Sequence, residues 1–145
     1  QMKWFEKKVP SFLKDCSFKI FISHHSYDTL NTKRKPPLKK YKASLRTFFE
    51  KNVLGKFDVV FSGHDHALAY IGNFKGTDQY ISGAGGKFTS NKDSRMDLKS
   101  YKSHKGPGLI YLEIVNKKPF RGAVKMVTLE GKKFNSLKIV PLKKY

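Results

Sequence analysis

The chain carries two short, almost continuous apolar runs, "FKIFIS" at residues 18–23 and "FDVVFS" at residues 57–62. Between them Leu38, Tyr41, Leu45, Phe48, Phe49 and Val53 recur at spacings of three and four. Few folds accommodate that order. The β-branched and aromatic content of the two runs predicts strands covered on both faces, as in a parallel sheet. The spacing between them predicts an amphipathic helix, with Gly55 placed to terminate it. Strand, crossover helix and strand then form a right-handed parallel βαβ unit, and the expected fold class is α/β. The residues immediately after each strand emerge at one edge of the sheet, where open α/β sheets hold their ligands.

At both strand ends those residues include histidine. His24 and His25 come directly after the first, and "GHDH" places His64 and His66 after the second; these are four of the five histidines in the chain. Neutral imidazole is a common ligand for borderline divalent metals such as Zn, Fe, Mn or Co, provided carboxylates complete the shell. The glycine permits a tight turn at the strand end. The i, i+2 spacing lets two rings aim at neighbouring but distinct positions, suited to two metals about 3.5–4 Å apart. An isolated His-x-His is more often a pair of loop histidines; the arrival of His24 at the same edge is what favours a site.

The flanking sequence fills out one domain. Trp4, Phe5, Val9, Phe12 and Leu13 recur at helical spacing near the start, with Pro10 expected to end or kink that helix. After Tyr70 the pattern changes to short apolar runs with Gly-rich turns, "LAYIGNF", "QYISGAGGK", "GLIYLEIV", "RGAVKMVTLE" and "FNSLKIVPL", which predict antiparallel sheet. The polar residues 87–106, including His104, have no apolar periodicity and read as a lid or a disordered connection. With 145 residues and a single cysteine, Cys16, the chain is sized for one core, and no internal disulfide or thiolate cluster is available to it. No apolar run is long enough to span a bilayer. The 30 Lys and Arg against 11 Asp and Glu favour anionic partners. That excess is mostly Lys and is spread along the chain, so no sequence-specific nucleic-acid reader is expected.

Taken together, "FISHHSYDTL", "DVVFSGHDHALAY" and "QYISGAGGK" resemble the C-terminal half of calcineurin-like metallophosphoesterases, in the branch similar to purple acid phosphatases. The resemblance runs from the helix "WFEKKVPSF" to the closing segments "GLIYLEI" and "VTLEGKKFNSLKI". It implies that residues 1–145 are the C-terminal part of an α/β/β/α catalytic sandwich, a βαβ unit followed by mainly antiparallel strands. It further implies that His24 and His64 bind one metal ion and His66 the other. The implied activity is hydrolysis of a phosphomonoester at a dinuclear centre, by metal-activated hydroxide; a nuclease or phosphodiesterase would use the same metal chemistry. The implied cofactors are two divalent or trivalent ions, Fe, Zn or Mn. Lys33, Arg34 and Lys35 on the loop after His24, with Lys87 and His104 farther along, are placed to attract a substrate phosphate, Arg34 and Lys87 being the candidates for contact. The family's secreted or periplasmic setting would suit such an enzyme, although the sequence itself leaves localisation open.

Two departures stand out: Ser23 and Ser26 occupy positions where the family usually has Gly and Pro. More important, the family's Asp-x-His, Gly-Asp and Gly-Asn-His motifs precede the first histidine strand, and none occurs in this sequence. The expected partner is therefore an N-terminal half that supplies the acidic ligands, with a phosphorylated substrate and no membrane. Two adjacent dications need negative ligands, which three imidazoles do not provide, so the 145-residue segment by itself is expected to lack phosphatase activity. A reading of another class is a non-catalytic basic module that binds polyanions or nucleic acid through its +19 surface.

Overall fold

Parallel pairing of two strands, β1 (Ile20–Ser23) and β2 (Val59–Ser62), sets the frame of the molecule. Their register is fixed at the amino end, where the Asp58 carboxylate accepts from the Lys19 amide at 2.7 Å while the Asp58 amide donates to the Lys19 carbonyl at 2.9 Å. The crossover between them is α2 (Leu38–Asn52), and a second helix, α1 (Met2–Leu13), precedes β1. The computed structural model describes residues 2–28, 38–87, 102–104, 106–117, 119–130 and 136–145. Lys33, Arg34 and Lys35 lie outside the described residues, as does most of the polar stretch 87–106.

The strands β3 (Leu68–Phe74), β4 (Thr77–Ser82) and β5 (Lys102–His104) complete a five-stranded sheet in the order β1-β2-β4-β3-β5. A separate antiparallel sheet comes next, β6 (Gly108–Lys117), β7 (Phe120–Glu130) and β8 (Ser136–Lys144). The chain is thus a mixed α/β protein in three layers of helices, five-stranded sheet and three-stranded sheet. Phe49, Val53, Leu54, Phe57 and Val60, with Phe5, Val9, Leu13 and Phe21, fill the layer under the helices. Val59, Leu68 and Tyr80 meet Ile110, Val124 and Met126 between the two sheets. Gly55 comes after α2 with φ +77°, the left-handed conformation of a helix C-cap, and its amide donates to Thr77 Oγ1 at 2.8 Å.

Two expectations from the sequence are corrected by the structure. Pro10 neither ends nor interrupts α1, which continues to Leu13; packing of Phe5, Val9 and Leu13 against the sheet holds the helix through the missing donor. β1 is an edge strand with one open face, not one covered on both sides: Phe21 packs under the helices, whereas Ile22 is 77% exposed. The second half is mainly antiparallel, as the sequence predicts, with one parallel pairing. β4 pairs antiparallel with β3 but parallel with β2, and so extends the first sheet beyond the βαβ unit.

Beside that core lies a buried polar centre at the amino end of β4. Asp78, 1% exposed, accepts hydrogen bonds from Tyr145 Oη (2.7 Å), Asn73 Nδ2 (2.9 Å) and Tyr70 Oη (3.0 Å) and pairs with Lys143. Burial pushes its carboxyl up, but Lys143, Asn73 and the two tyrosines together outweigh burial and hold it below the usual carboxylate range. Burial and the same carboxylate push the Tyr70 hydroxyl up to about 12. The network ties β8 and the C-terminal Tyr145 to the first sheet. It lies at the opposite end of β4 from the histidines.

Candidate functional site

β1, β2 and β4 run in parallel, so three loops leave the sheet at one edge. They are stitched together by backbone hydrogen bonds: the Gly63 amide donates to the His24 carbonyl at 3.1 Å, and the Gly83 amide to the Ala67 carbonyl at 2.9 Å. Gly83 is there for a steric reason. A Cβ on it would fall 2.0 Å from the Asp65 carbonyl oxygen, so only glycine lets the β4 loop lie against "GHDH".

Within "GHDH" the backbone makes two successive three-residue turns. The Asp65 amide donates to the Gly63 carbonyl at 2.6 Å, around His64, and the Ala67 amide donates to the Asp65 carbonyl at 2.7 Å, around His66. His64 has φ +54°, a left-handed conformation that histidine adopts more readily than most side chains. Each histidine thus sits at the apex of its own tight turn. This is the local reason that an i, i+2 pair need not aim at one point.

His24, His25 and His64 converge. One ring nitrogen from each lies within 4.8 Å of one from each of the others, and His64 Nδ1 is 3.0 Å from His24 Nε2. One of those two nitrogens must carry the proton and the other the lone pair, so the contact fixes complementary tautomers in the neutral pair. The His25 ring lies 4.1 Å from that of His64 and 4.8 Å from that of His24, centre to centre. The turn carrying His24 and His25 is braced by Ser23, whose Oγ donates to the His25 carbonyl at 2.7 Å. Beyond it, buried Gln79 grips the Asp28 backbone, with Nε2 donating to its carbonyl at 3.0 Å. Tyr27 fastens the same segment to α2, donating to Glu50 Oε1 and accepting from Arg46, both at 3.0 Å.

Of the residues singled out in the sequence, His24 and His64 are together, and His66, half-buried on the next turn, is outside the group. His25, which had no role assigned from sequence, is a member; the adjacent "HH" at a strand end was the only signal for it. Lys87 is exposed just after the Gly85–Gly86 turn. A cleft of about 360 Å³ between α1 and the end of α2, lined by Phe5, Val9, Lys19 and Lys56, opens at the other, amino edge of the strands and takes no part in the cluster.

Three imidazoles gathered this closely are a donor set for a single borderline divalent cation. They do not suit two. Among the described residues no carboxylate belongs to the group, so nothing in it offsets the repulsion of a second ion.

No family model and no curated protein matches the chain. Among solved structures it is similar to that of "GAP50 the anchor in the inner membrane complex of Plasmodium", at 14% identity and a TM-score of 0.54. The match covers 98% of this chain and 42% of the other, so the chain spans about two fifths of that protein's length. At such identity the likeness is one of fold.

Proposed function

We propose that this chain is the histidine-bearing part of the catalytic domain of a metal-dependent phosphoesterase. The observation that carries the reading is the convergence of His24, His25 and His64 from the ends of two parallel strands. The resemblance of His24 and of "GHDH", each following a strand of the parallel pair, to metallophosphoesterase motifs supports it. His24 and His64, with His25 beside them, would hold one cation. A cation so held would supply Lewis acidity and positive charge toward phosphoryl oxygens. The protein's own part is to present three imidazoles together on turns pinned to α2 and to β4. A second cation, and hydrolysis, would require carboxylates supplied by another segment of polypeptide beside β1, the open edge of the sheet.

Calorimetric zinc titration of the 145-residue chain, coupled to a chromogenic phosphate-ester assay, tests this. The expected result is one ion per chain, loss of binding in His24→Ala and His64→Ala, and no turnover. No zinc binding, or binding that survives both substitutions, refutes the cation site; two ions per chain with robust turnover refutes the need for further carboxylates.

The reading as a basic module with the same fold and no catalysis draws support from the formal charge of +19 and from the missing carboxylates. It predicts salt-sensitive binding of unrelated oligonucleotides, unchanged by His24→Ala.

A further inference from the structure

α1 and the end of α2 do not close on each other. The cleft of about 360 Å³ between them is walled by Phe5, Val9 and Leu13, the apolar side chains that α1 turns toward the core. All three are only half-buried, so apolar surface stays in contact with water there. The space falls in the range of small-molecule sites, about 300–1,000 Å³.

One polar group in that wall is unmatched. Asn52, the last residue of α2, lines the cleft and is 8% exposed, yet its Nδ2 has no hydrogen-bond partner among the described residues. Neighbouring donors are satisfied: the Gly55 amide has Thr77 Oγ1, and Lys56 Nζ reaches the Lys51 carbonyl at 2.5 Å. A buried amide donor destabilises the fold until an acceptor reaches it. An acceptor oxygen is therefore the first thing the cleft asks of a ligand.

Charge sets the second requirement. Three ammonium groups line the cleft, those of Lys14, Lys19 and Lys56, against the one carboxylate of Glu6. Two more acids lie nearby in sequence but outside the lining: Asp15 is exposed, and Asp58 accepts from the Lys19 amide at 2.7 Å. Lysine stems extend an apolar wall while their heads stay in water, so the positive excess belongs to the rim. It suits a ligand with a single negative charge.

We propose that this cleft binds a small amphipathic carboxylate. Its hydrocarbon body lies against Phe5, Val9 and Leu13, one carboxylate oxygen accepts from Asn52 Nδ2, and the rim lysines balance the charge. A small ion without the body would leave the apolar wall in water, and a neutral body would forgo the lysines. The site is separate from the His24–His25–His64 cluster and does not depend on the phosphoesterase reading.

The test titrates 4-phenylbutyrate into the 145-residue chain at constant ionic strength, with acetate and 4-phenylbutanol as references. NMR follows the Asn52 side-chain amide and the Val9 and Leu13 methyls. Saturable shifts are expected with 4-phenylbutyrate, the Asn52 amide proton moving downfield as it gains an acceptor; the alcohol should bind more weakly and acetate should move nothing. Asn52→Leu removes the unmatched donor at similar volume, so its urea midpoint should be no lower than that of the wild-type chain. Its affinity for 4-phenylbutyrate should fall about tenfold, the loss of one hydrogen bond to a charged acceptor. Equal responses to acetate and 4-phenylbutyrate, a stationary Asn52 amide, or full affinity in Asn52→Leu overturns the site. Should Asn52→Leu not fold, the double variant Lys14→Gln, Lys56→Gln decides, since both lysines are exposed. Affinity for the carboxylate falling to that of the alcohol upholds the site, and unchanged affinity overturns it.

Discussion

Gly83→Ala puts the link between fold and site to a quantitative test. The added methyl would sit 2.0 Å from the Asp65 carbonyl oxygen and 3.0 Å from its carbon, and Cβ atoms essentially never come within 3.0 Å of another heavy atom. The β4 loop and "GHDH" must therefore separate by about 1 Å, the difference of those two distances. Both are held by backbone hydrogen bonds, so the strain is not relieved by turning a side chain. Forced overpacking of this kind costs about 1–3 kcal/mol. Gly85→Ala is the matched control, because its Cβ meets nothing within 4 Å. Both substitutions stiffen the unfolded chain alike, by about 0.4–1 kcal/mol, so that contribution cancels between them. Urea unfolding should place Gly83→Ala about 1–3 kcal/mol below Gly85→Ala, equivalent to roughly 2–12 °C in melting temperature for a chain of this size. Because Asp65 directly follows His64, the same displacement should weaken zinc binding in Gly83→Ala and leave it intact in Gly85→Ala. Equal stability of the two variants within about 0.5 kcal/mol, with equal zinc affinity, would show that the loops do not constrain each other and that the histidine geometry is not set by Gly83.

Removing the buried carboxylate in Asp78→Asn should destabilise the fold by about 2–4 kcal/mol, read by denaturant unfolding, since Lys143 and the two tyrosines lose their ionic acceptor. The carboxyl of Asp78 is held low in the fold, so its contribution is complete above the unfolded-state value and disappears as pH falls through the folded one. The wild-type chain should therefore lose stability on acidification more steeply than Asp78→Asn; parallel pH profiles would refute the assignment. Substituting His66 by Ala should change the affinity for the first zinc ion less than twofold, whereas His64→Ala should lower it at least tenfold, by calorimetry. Ile22→Lys, on the open face of the edge strand, should alter stability by no more than about 0.5 kcal/mol in urea unfolding, because the new charge stays in solvent.

Local pattern was enough to specify the strand–helix–strand unit and the arrival of His24 and His64 at one edge. The alternation of apolar spacing from near-continuous to three-and-four dictates element type, and a short parallel crossover leaves one choice of edge. Cap chemistry was equally local: Gly55 terminates α2 because only a residue free of Cβ strain takes φ +77° cheaply. Relations between residues far apart along the chain had no such local signal. The pairing of β4 with β2 depends on burial of Tyr80 between two sheets, and the open face of Ile22 depends on where the second sheet stops. Whether His25 or His66 joins the pair was decided by two successive tight turns packed against Gly83, a contact across loops that no residue type signals until the sheet is formed. His104 shows the same division from the other side. Its residues carry no periodic signal, and only strand register brings it to the edge where the other four histidines already stand. Composition and periodicity act through backbone preference and burial, which are short-ranged; the convergence of imidazoles is a property of register and turn geometry, which exist only once the sheet has formed.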